Sequence, residues 1–296
     1  MLRFVLNETG RLLLGLLGAA LMAAAIASLS VVHAGDGVLQ FLVVWNERLH
    51  AIVNLHLGES AITGLPIDEE LVTRLPLTLG LVVDGLVAAA TVGIPVGILF
   101  GLGPARGAAA PLIQVVAAIP VFCAGLALAC LADKLLHWPV RIDDSANFEL
   151  GPMLHSPAQI RAIALPALTV RLSGATAALV ALSRATTSVA QASWRRHLLC
   201  LGLSRWEVGV LYVTPQIFAG LFAQLGEVML ALTSATAVAE WVFSCPGIAE
   251  FFVKSVALHD WSAAGAILFI FASSTQTAAF VGRCAAHPLT NPGKAA

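Results

Sequence analysis

Apolar residues gather into six long runs, at 12–32, 75–101, 111–133, 163–187, 209–243 and 262–283, with polar stretches between them. Each run holds about 20 residues or more, enough for a helix to cross roughly 30 Å of hydrocarbon. The pattern therefore predicts an all-α polytopic membrane protein with about six transmembrane helices, forming one membrane domain. The first run follows Arg3 and Arg11 and has small residues near its end, which also suits a cleavable signal peptide. It is long for a signal core and is read as a retained span. The run at 209–243 is too long for one perpendicular helix, and with Pro215 near its start it predicts a long, bent element. The domain organisation expected is an N-terminal span at 1–32, a polar segment at 33–74, a five-helix core at 75–283 and a tail at 284–296.

Charge gives the pattern an orientation, because Lys and Arg resist translocation more than acids do. Alternate polar stretches sort into two sets. One (the N-terminus, 102–110, 188–208 with helix-end Arg184, and the C-terminus) carries nine basic residues, Arg3, Arg11, Arg106, Arg184, Arg195, Arg196, Arg205, Arg283 and Lys294, against Glu8 and Glu207. The other is acidic, and includes Glu59, Asp68, Glu69, Glu70, Glu250 and Asp260 with fewer cations, among them Arg74, Arg161 and Lys254. Both termini are expected in the cytoplasm, with 33–74 and 134–162 outside.

Composition narrows the function classes. Hydrophobic residues make up 58% of the chain and charged residues 11%, where a soluble domain carries about 25% charge. The net charge of −1 and the lack of a basic patch with interleaved aromatics give nucleic acid no electrostatic footing. The five cysteines, Cys123, Cys130, Cys200, Cys245 and Cys284, form no C-x-x-C pair and lie mostly in apolar runs, so neither a disulfide framework nor a metal cage is expected. The eight histidines lie almost wholly in loops, with no H-x-x-x-H pair and no H-E-x-x-H, so no metal site is expected. A phosphate cradle of the form G-x-x-x-x-G-K-[ST] is absent, and no catalytic set is evident. The chain reads as a transport protein whose energy comes from elsewhere.

Four features carry candidate chemistry. Gly93, Gly97 and Gly101 recur at every fourth residue, a spacing that lets a second helix approach closely. The cytoplasmic stretch AQASWRRHLLCLGLSRWEV (190–208) combines Trp194, Arg195, Arg196 and His197 with an apolar run and then Gly202, Leu203 and Ser204. It suits two short helices around a turn at Gly202; a basic loop on anionic headgroups and a protein-docking surface both fit it. EWVFSCPGI (240–248) ends the fifth run, with a turn at Pro246-Gly247 and Glu240 about two helical turns inside it, beside Phe243. A carboxylate at that depth either faces a water path or partner, or serves as a cap. Deeper still lie Asp84, Glu227 and Arg171, which leave a buried acid–arginine pair open, and Gln114, Gln224 and Gln276, which could line an aqueous path or bridge helices.

Taken in order, these motifs resemble the permease subunits of ATP-binding-cassette importers of the dipeptide, oligopeptide and nickel class, specifically the B-type subunit. The resemblance runs from about residue 57 to 292. It begins with LGESAITGLPIDEELVTRLPLTL (57–79), similar to the family's F-G-x-S segment followed by R-L-P-x-T-L. GIPVG (93–97), IPVF (119–122), LPALT (165–169) and EWVFSCPGI, similar to E-x-V-F-S-x-P-G-[LI], follow at the expected spacing.

The resemblance implies the type I importer permease fold, with a homologous second permease across a central solute path, two cytoplasmic ABC ATPases and an extracytoplasmic solute-binding protein. ATP and Mg would belong to the ATPases, with no cofactor on this chain and no nucleic-acid partner. It makes 190–208 the coupling loop that docks the ATPase, with Gly202, Leu203 and Ser204 matching the family's A-x-G-L-S. The sequence departs just before that glycine: Leu198, Leu199, Cys200 and Leu201 stand where relatives carry cations and an acid, so the contact is expected to be more apolar. The path or gate residues expected are Glu240, Phe243, Glu227, Gln224, Asp84 and Arg171. The expected cargo is a short peptide or similar small polar solute, moved across the bacterial inner membrane by alternating access; nickel chelates, opines, glycosides and polyamines fit the same fold. A self-sufficient carrier would need ion-coupling carboxylates and inverted repeats, and no convincing repeat is present.

Overall fold

The computed structural model describes residues 2–29, 31, 38–54, 56–102, 106–136 and 157–290. The tail beyond 290 and most of the expected outer loop at 134–162 lie outside them. Thirteen helices and three π turns form the described chain, and it contains no strand.

The N-terminal helix α1 (Leu2–Ser28) packs along the final helix α13 (Trp261–Thr290) and against α2 (Val38–Val53). Ala23 and Ala24 are fully buried in that seam, and a Cβ on Gly265 would come within 2.6 Å of the Ala23 carbonyl. The helix α2 and the first turns of α3 (Ile67–Ala88) fall in the stretch expected as an outer segment, so α3 begins eight residues before its apolar run. Through a π turn (Ala89–Gly93), α3 continues into α4 (Ile94–Leu102). Then come α5 (Arg106–Ala117), α6 (Val121–Leu131) and the long α7 (Pro157–Gln191).

Next lie two short elements, α8 (Ser193–Cys200) and α9 (Arg205–Glu207), and a π turn (Val208–Val213). Helices α10 (Thr214–Ala223), α11 (Leu225–Phe243) and α12 (Ile248–Ala257) complete the set. The turns at Ala89–Gly93 and Val208–Val213 each end two residues before a proline, Pro95 and Pro215. Proline lacks the N–H that would hold the preceding turn, and the helix widens there instead of breaking.

Among the described residues, five helical stretches are long and apolar enough to cross a membrane: Arg3–Ser28, Ile67–Phe100, Ile163–Val189, Leu225–Phe243 and Trp261–Thr290. The count of about six differs at one place. The apolar run at 111–133 is divided between α5 and α6 by the turn at Ala118–Pro120, because Pro120 cannot continue the helix and starts α6 instead. The long run at 209–243 is interrupted too, at Gln224 (φ −97°, ψ 10°) and not at Pro215, whose missing N–H is accommodated by the π turn before it.

The main core lies between α3, α6, α7 and α11, around Leu81, Val170, Leu182, Leu232 and Phe243. Small residues set its spacing. A Cβ on Gly93 would lie 2.6 Å from the Ala175 carbonyl, and one on Gly97 2.7 Å from a Leu182 methyl, so α4 can lie against α7 only without side chains there. The surroundings of Gly101 are outside the described residues. The two charge sets also separate in space. Glu8 of α1 is bonded to Arg11 (2.7 Å) and to Arg283 of α13, while Arg74, Glu70, Glu250 and Lys254 form a second cluster. Asp260, just before α13, and Arg283 are 23 residues apart, about 34 Å along that helix.

Candidate functional site: a capped helix junction, an open cleft and an exposed turn

Helix α11 ends in a left-handed residue, Ser244 (φ 53°), and the Cys245 N–H returns to the Glu240 carbonyl at 2.8 Å. That closure turns the chain so that the first N–H groups of α12 point back at α11. The Glu240 carboxylate receives them. It accepts from the Ala249 N–H (2.7 Å) and the Glu250 N–H (3.1 Å) through one oxygen, and from the Thr78 hydroxyl (2.7 Å) through the other. The Thr78 oxygen in turn accepts the Ile248 N–H at 2.9 Å. Three orphan donors of α12 are thereby satisfied, two by the Glu240 carboxyl group and one by the Thr78 hydroxyl oxygen. Gly247 is required for this approach, since a Cβ there would collide with the Glu240 carboxyl group.

Glu240 and Phe243 are both 0% exposed, so in this chain they face protein and not an open path. The acid seen in the sequence as either path-lining or capping is, by its contacts, a cap that joins two distant motifs, R-L-P-x-T-L and E-x-V-F-S-x-P-G. The same end holds a second knot. The Asp260 carboxylate, 1% exposed, accepts from the Ser60 hydroxyl (2.7 Å), the Ala61 N–H (2.8 Å) and the Ala263 N–H (3.1 Å), fixing the 57–66 loop to the start of α13. Sequence reasoning missed this pairing; the residues lie 200 positions apart, and the only signal was Ser60 in the first motif. Around these knots Arg74 donates to Glu70 (2.8 Å) and lies over the Phe251 ring at 4.8 Å.

A cleft of about 880 Å³ opens between α6, α7 and α11, beside the Ala118–Pro120 turn. Its walls are mostly alanine, valine and other apolar side chains, with Thr169, Ser173, Thr176 and Ser234 among the polar ones, and Arg184 and Glu227 as its charged residues. Arg184 donates to Glu227 at 2.6 Å, with the two side chains 60% and 68% exposed. Gln224, freed by the break between α10 and α11, donates to the Ala181 and Gly220 carbonyls, both at 3.0 Å, and its own oxygen accepts from Arg184 at 3.4 Å. The other pair, Arg171–Asp84, closes at 2.8 Å on the α3–α7 seam, half-exposed and outside the cleft. Neither pair is buried. Gln276 packs over Gly15 in the α1–α13 seam, and Gln114 is exposed.

After the extended Ala192, helix α7 is followed by α8 and then the exposed turn. On one side of α8 and the turn, Trp194, Leu198 and Leu203 pack against the core. On the other, Leu199, Leu201 and Trp206 are exposed, the last two by 78% and 79%, next to Arg196 and His197. The side chain of Arg195 is outside the described residues. Gly202 has φ +87°, a conformation that side-chain-bearing residues adopt only at a cost. Ser204 and Glu207 then form a reciprocal cap: the Glu207 N–H donates to the Ser204 hydroxyl (3.2 Å) and the Ser204 N–H donates to the Glu207 carboxylate (2.8 Å). The Ser204 backbone bond, followed by its hydroxyl, holds the Glu207 carboxyl below the usual range. Among the described residues no group of histidine, cysteine and acidic side chains is gathered as for a metal ion.

Comparison with known proteins adds to this geometry. Residues 91–284 match the family described as "Binding-protein-dependent transport system inner membrane component". The chain is 25% identical over 260 residues to the "Putrescine export system permease protein SapB" of Escherichia coli, an alignment covering 79% of this chain and 81% of that one. It is 28% identical over 251 residues to the "Dipeptide transport system permease protein DppB" of the same organism, covering 74% and 71%. A "Probable D,D-dipeptide transport system permease protein DdpB" is 28% identical over 229 residues, covering 70% and 66%.

Proposed function

This chain belongs to the family of binding-protein-dependent transport system inner membrane components, and from that premise we propose that it moves a small polar solute inward by alternating access, driven through the exposed turn at Gly202. As a member it is an inner-membrane permease subunit of a binding-protein-dependent ABC transporter, a class that is not itself catalytic.

The observation that carries the reading is continuity. The turn around Leu199, Leu201, Gly202 and Trp206 offers an apolar surface that is costly unless covered. Helix α7 carries Arg184 and one wall of the cleft, and joins the turn through the single extended residue Ala192 and the eight-residue α8, which packs on the core. A push on that turn is therefore a push on one wall of the cleft. In this reading two ATPases, which carry the ATP and Mg, cover the turn. A homologous second permease faces α6, α7 and α11 across the path, the cleft being this chain's side of it, and an extracytoplasmic solute-binding protein delivers the solute at the end closed by Glu240 and Asp260. Both termini and the turn are cytoplasmic. Phe243, Glu240 and Thr78 act as a rigid hinge support for the path, and Gln224, Glu227 and Arg184 line its cytoplasmic part. Asp84 and Arg171, too polar for lipid, meet water or the second permease.

That one relative is named for dipeptide transport and another for putrescine export supports a cargo that is a small polar molecule bearing charged nitrogen. The test is ATP-driven solute accumulation in vesicles with and without co-produced ATPases and second permease. Uptake only by the full complex is the expected result. Uptake by the lone chain, or ATP-driven movement solely outward, overturns the reading.

A further inference from the structure

The cleft has a charge arrangement more specific than a path for any polar solute requires. Arg184 and Glu227 line it together, pair at 2.6 Å, and are both more than half exposed. Most hydroxyl hydrogens nearby are already used: Thr169 donates to the Leu165 carbonyl, Thr176 to the Leu172 and Ser173 carbonyls, and Ser234 to the Leu230 carbonyl, which leaves the neutral Ser173 hydroxyl beside the charged pair. Gln224 spends both its donor contacts on the Ala181 and Gly220 carbonyls. The strong donor free to turn toward a solute is Arg184, and the strong acceptor is Glu227.

We propose that Arg184 and Glu227 form a charge filter in the membrane chain itself, selecting solutes that carry an ammonium and a carboxylate together. This rests on the reading that the cleft is this chain's side of the solute path. The physical basis is an exchange. An exposed ion pair contributes little, so opening it costs little. A zwitterion replaces it with two new pairs, its carboxylate on the Arg184 guanidinium and its ammonium on Glu227, and no charge is left over. A solute of single sign makes only one of these pairs, and so binds with one charge-assisted contact fewer. The bidentate fork of arginine suits a carboxylate in particular.

The experiment measures equilibrium binding to the purified full complex in nanodiscs, with the solute-binding protein omitted so that it cannot impose its own preference. The probes are alanyl-alanine, its N-acetyl derivative, its C-terminal amide, and putrescine. Alanyl-alanine is expected to bind about tenfold more tightly than either blocked form, the size of one lost charge-assisted partner. R184Q should abolish the preference over the amide while keeping that over the acetyl form, and E227Q should do the reverse. Equal affinities for all four probes, tighter binding of putrescine, no binding of alanyl-alanine, or an equal loss for every probe in both variants overturns the filter. ATP-driven uptake of the probes by the wild-type complex separates the two levels. Uptake without charge preference sinks the filter and leaves the transport reading standing, whereas no uptake of any probe sinks the transport reading.

Discussion

Glu240 and Glu227 lie on the same helix, thirteen residues apart, and their surroundings are opposite. Glu240 is 0% exposed, with Thr78, Ala249 and Glu250 all donating to it. Glu227 is 68% exposed in its side chain, with Arg184 at 2.6 Å and a cleft of about 880 Å³ beside it. Both acids invite a functional reading from depth alone, since intramembrane charges are costly. What separates them is how completely the fold has satisfied them. An acid whose partners are backbone N–H groups at a helix start holds that helix in place. An acid whose partner is another exposed side chain remains free to exchange it.

The contrast can be broken most directly at the buried end. Glu240→Ala strands two backbone donors and the Thr78 hydroxyl without water, and should destabilise the protein by about 2–5 kcal/mol. The check is thermal unfolding of the purified complex; an unchanged Tm would mean the Glu240 cap contributes nothing. A smaller effect is expected at the exposed turn. Gly202→Val forces a β-branched residue into φ +87°, costing about 1–2 kcal/mol or more locally. Because the space around Gly202 is open, insertion and assembly should survive while ATP hydrolysis loses its link to uptake. Retained coupling in vesicles would remove the turn from the drive train.

At the cleft the expected change in stability is smaller again. Arg184→Gln removes an ion pair that is more than half exposed, so the loss should be below about 1 kcal/mol, with solute handling altered instead. A loss of Tm as large as that for Glu240→Ala would erase the distinction between the two acids. The smallest effect is a pH dependence at the Ser204–Glu207 cap. The Glu207 carboxyl is held below its ordinary value by Ser204, so the folded state binds that proton less readily than the unfolded one. The cap is then fully formed above the ordinary glutamate range and is lost as pH falls through the lowered value. Hydrogen exchange at the Ser204 amide, whose N–H donates to that carboxylate, should rise selectively in that acid window, and Glu207→Gln should flatten the response.

Much of the fold could be read from one-dimensional pattern. Five of the six apolar runs became helices long enough to span a membrane, because burying backbone polar groups in hydrocarbon leaves little alternative to a helix. The glycine spacing at 93 and 97 marked a close helix contact for a similar reason, since it depends on side-chain size alone. Boundaries were less accessible. Pro120 and Pro215 look alike as breakers, yet one starts a new helix after a turn and the other sits in the first turn of a helix that breaks nine residues later, at Gln224.

The sequence by itself determined that this chain lives in a bilayer, that it is mostly helical, and that its motifs belong to a permease family without an engine of its own. Periodicity, apolar length and motif order are properties of neighbours along the chain, so they survive without coordinates. Only the tertiary structure decided what each charge is for. Thr78 meets Glu240 across 162 positions, Ser60 meets Asp260 across 200, and Arg184, which looked like a helix-end cation, meets Glu227 across 43. A carboxylate's role depends on which donors reach it and how much water remains, and both are set by helices packing at a distance that no local pattern encodes.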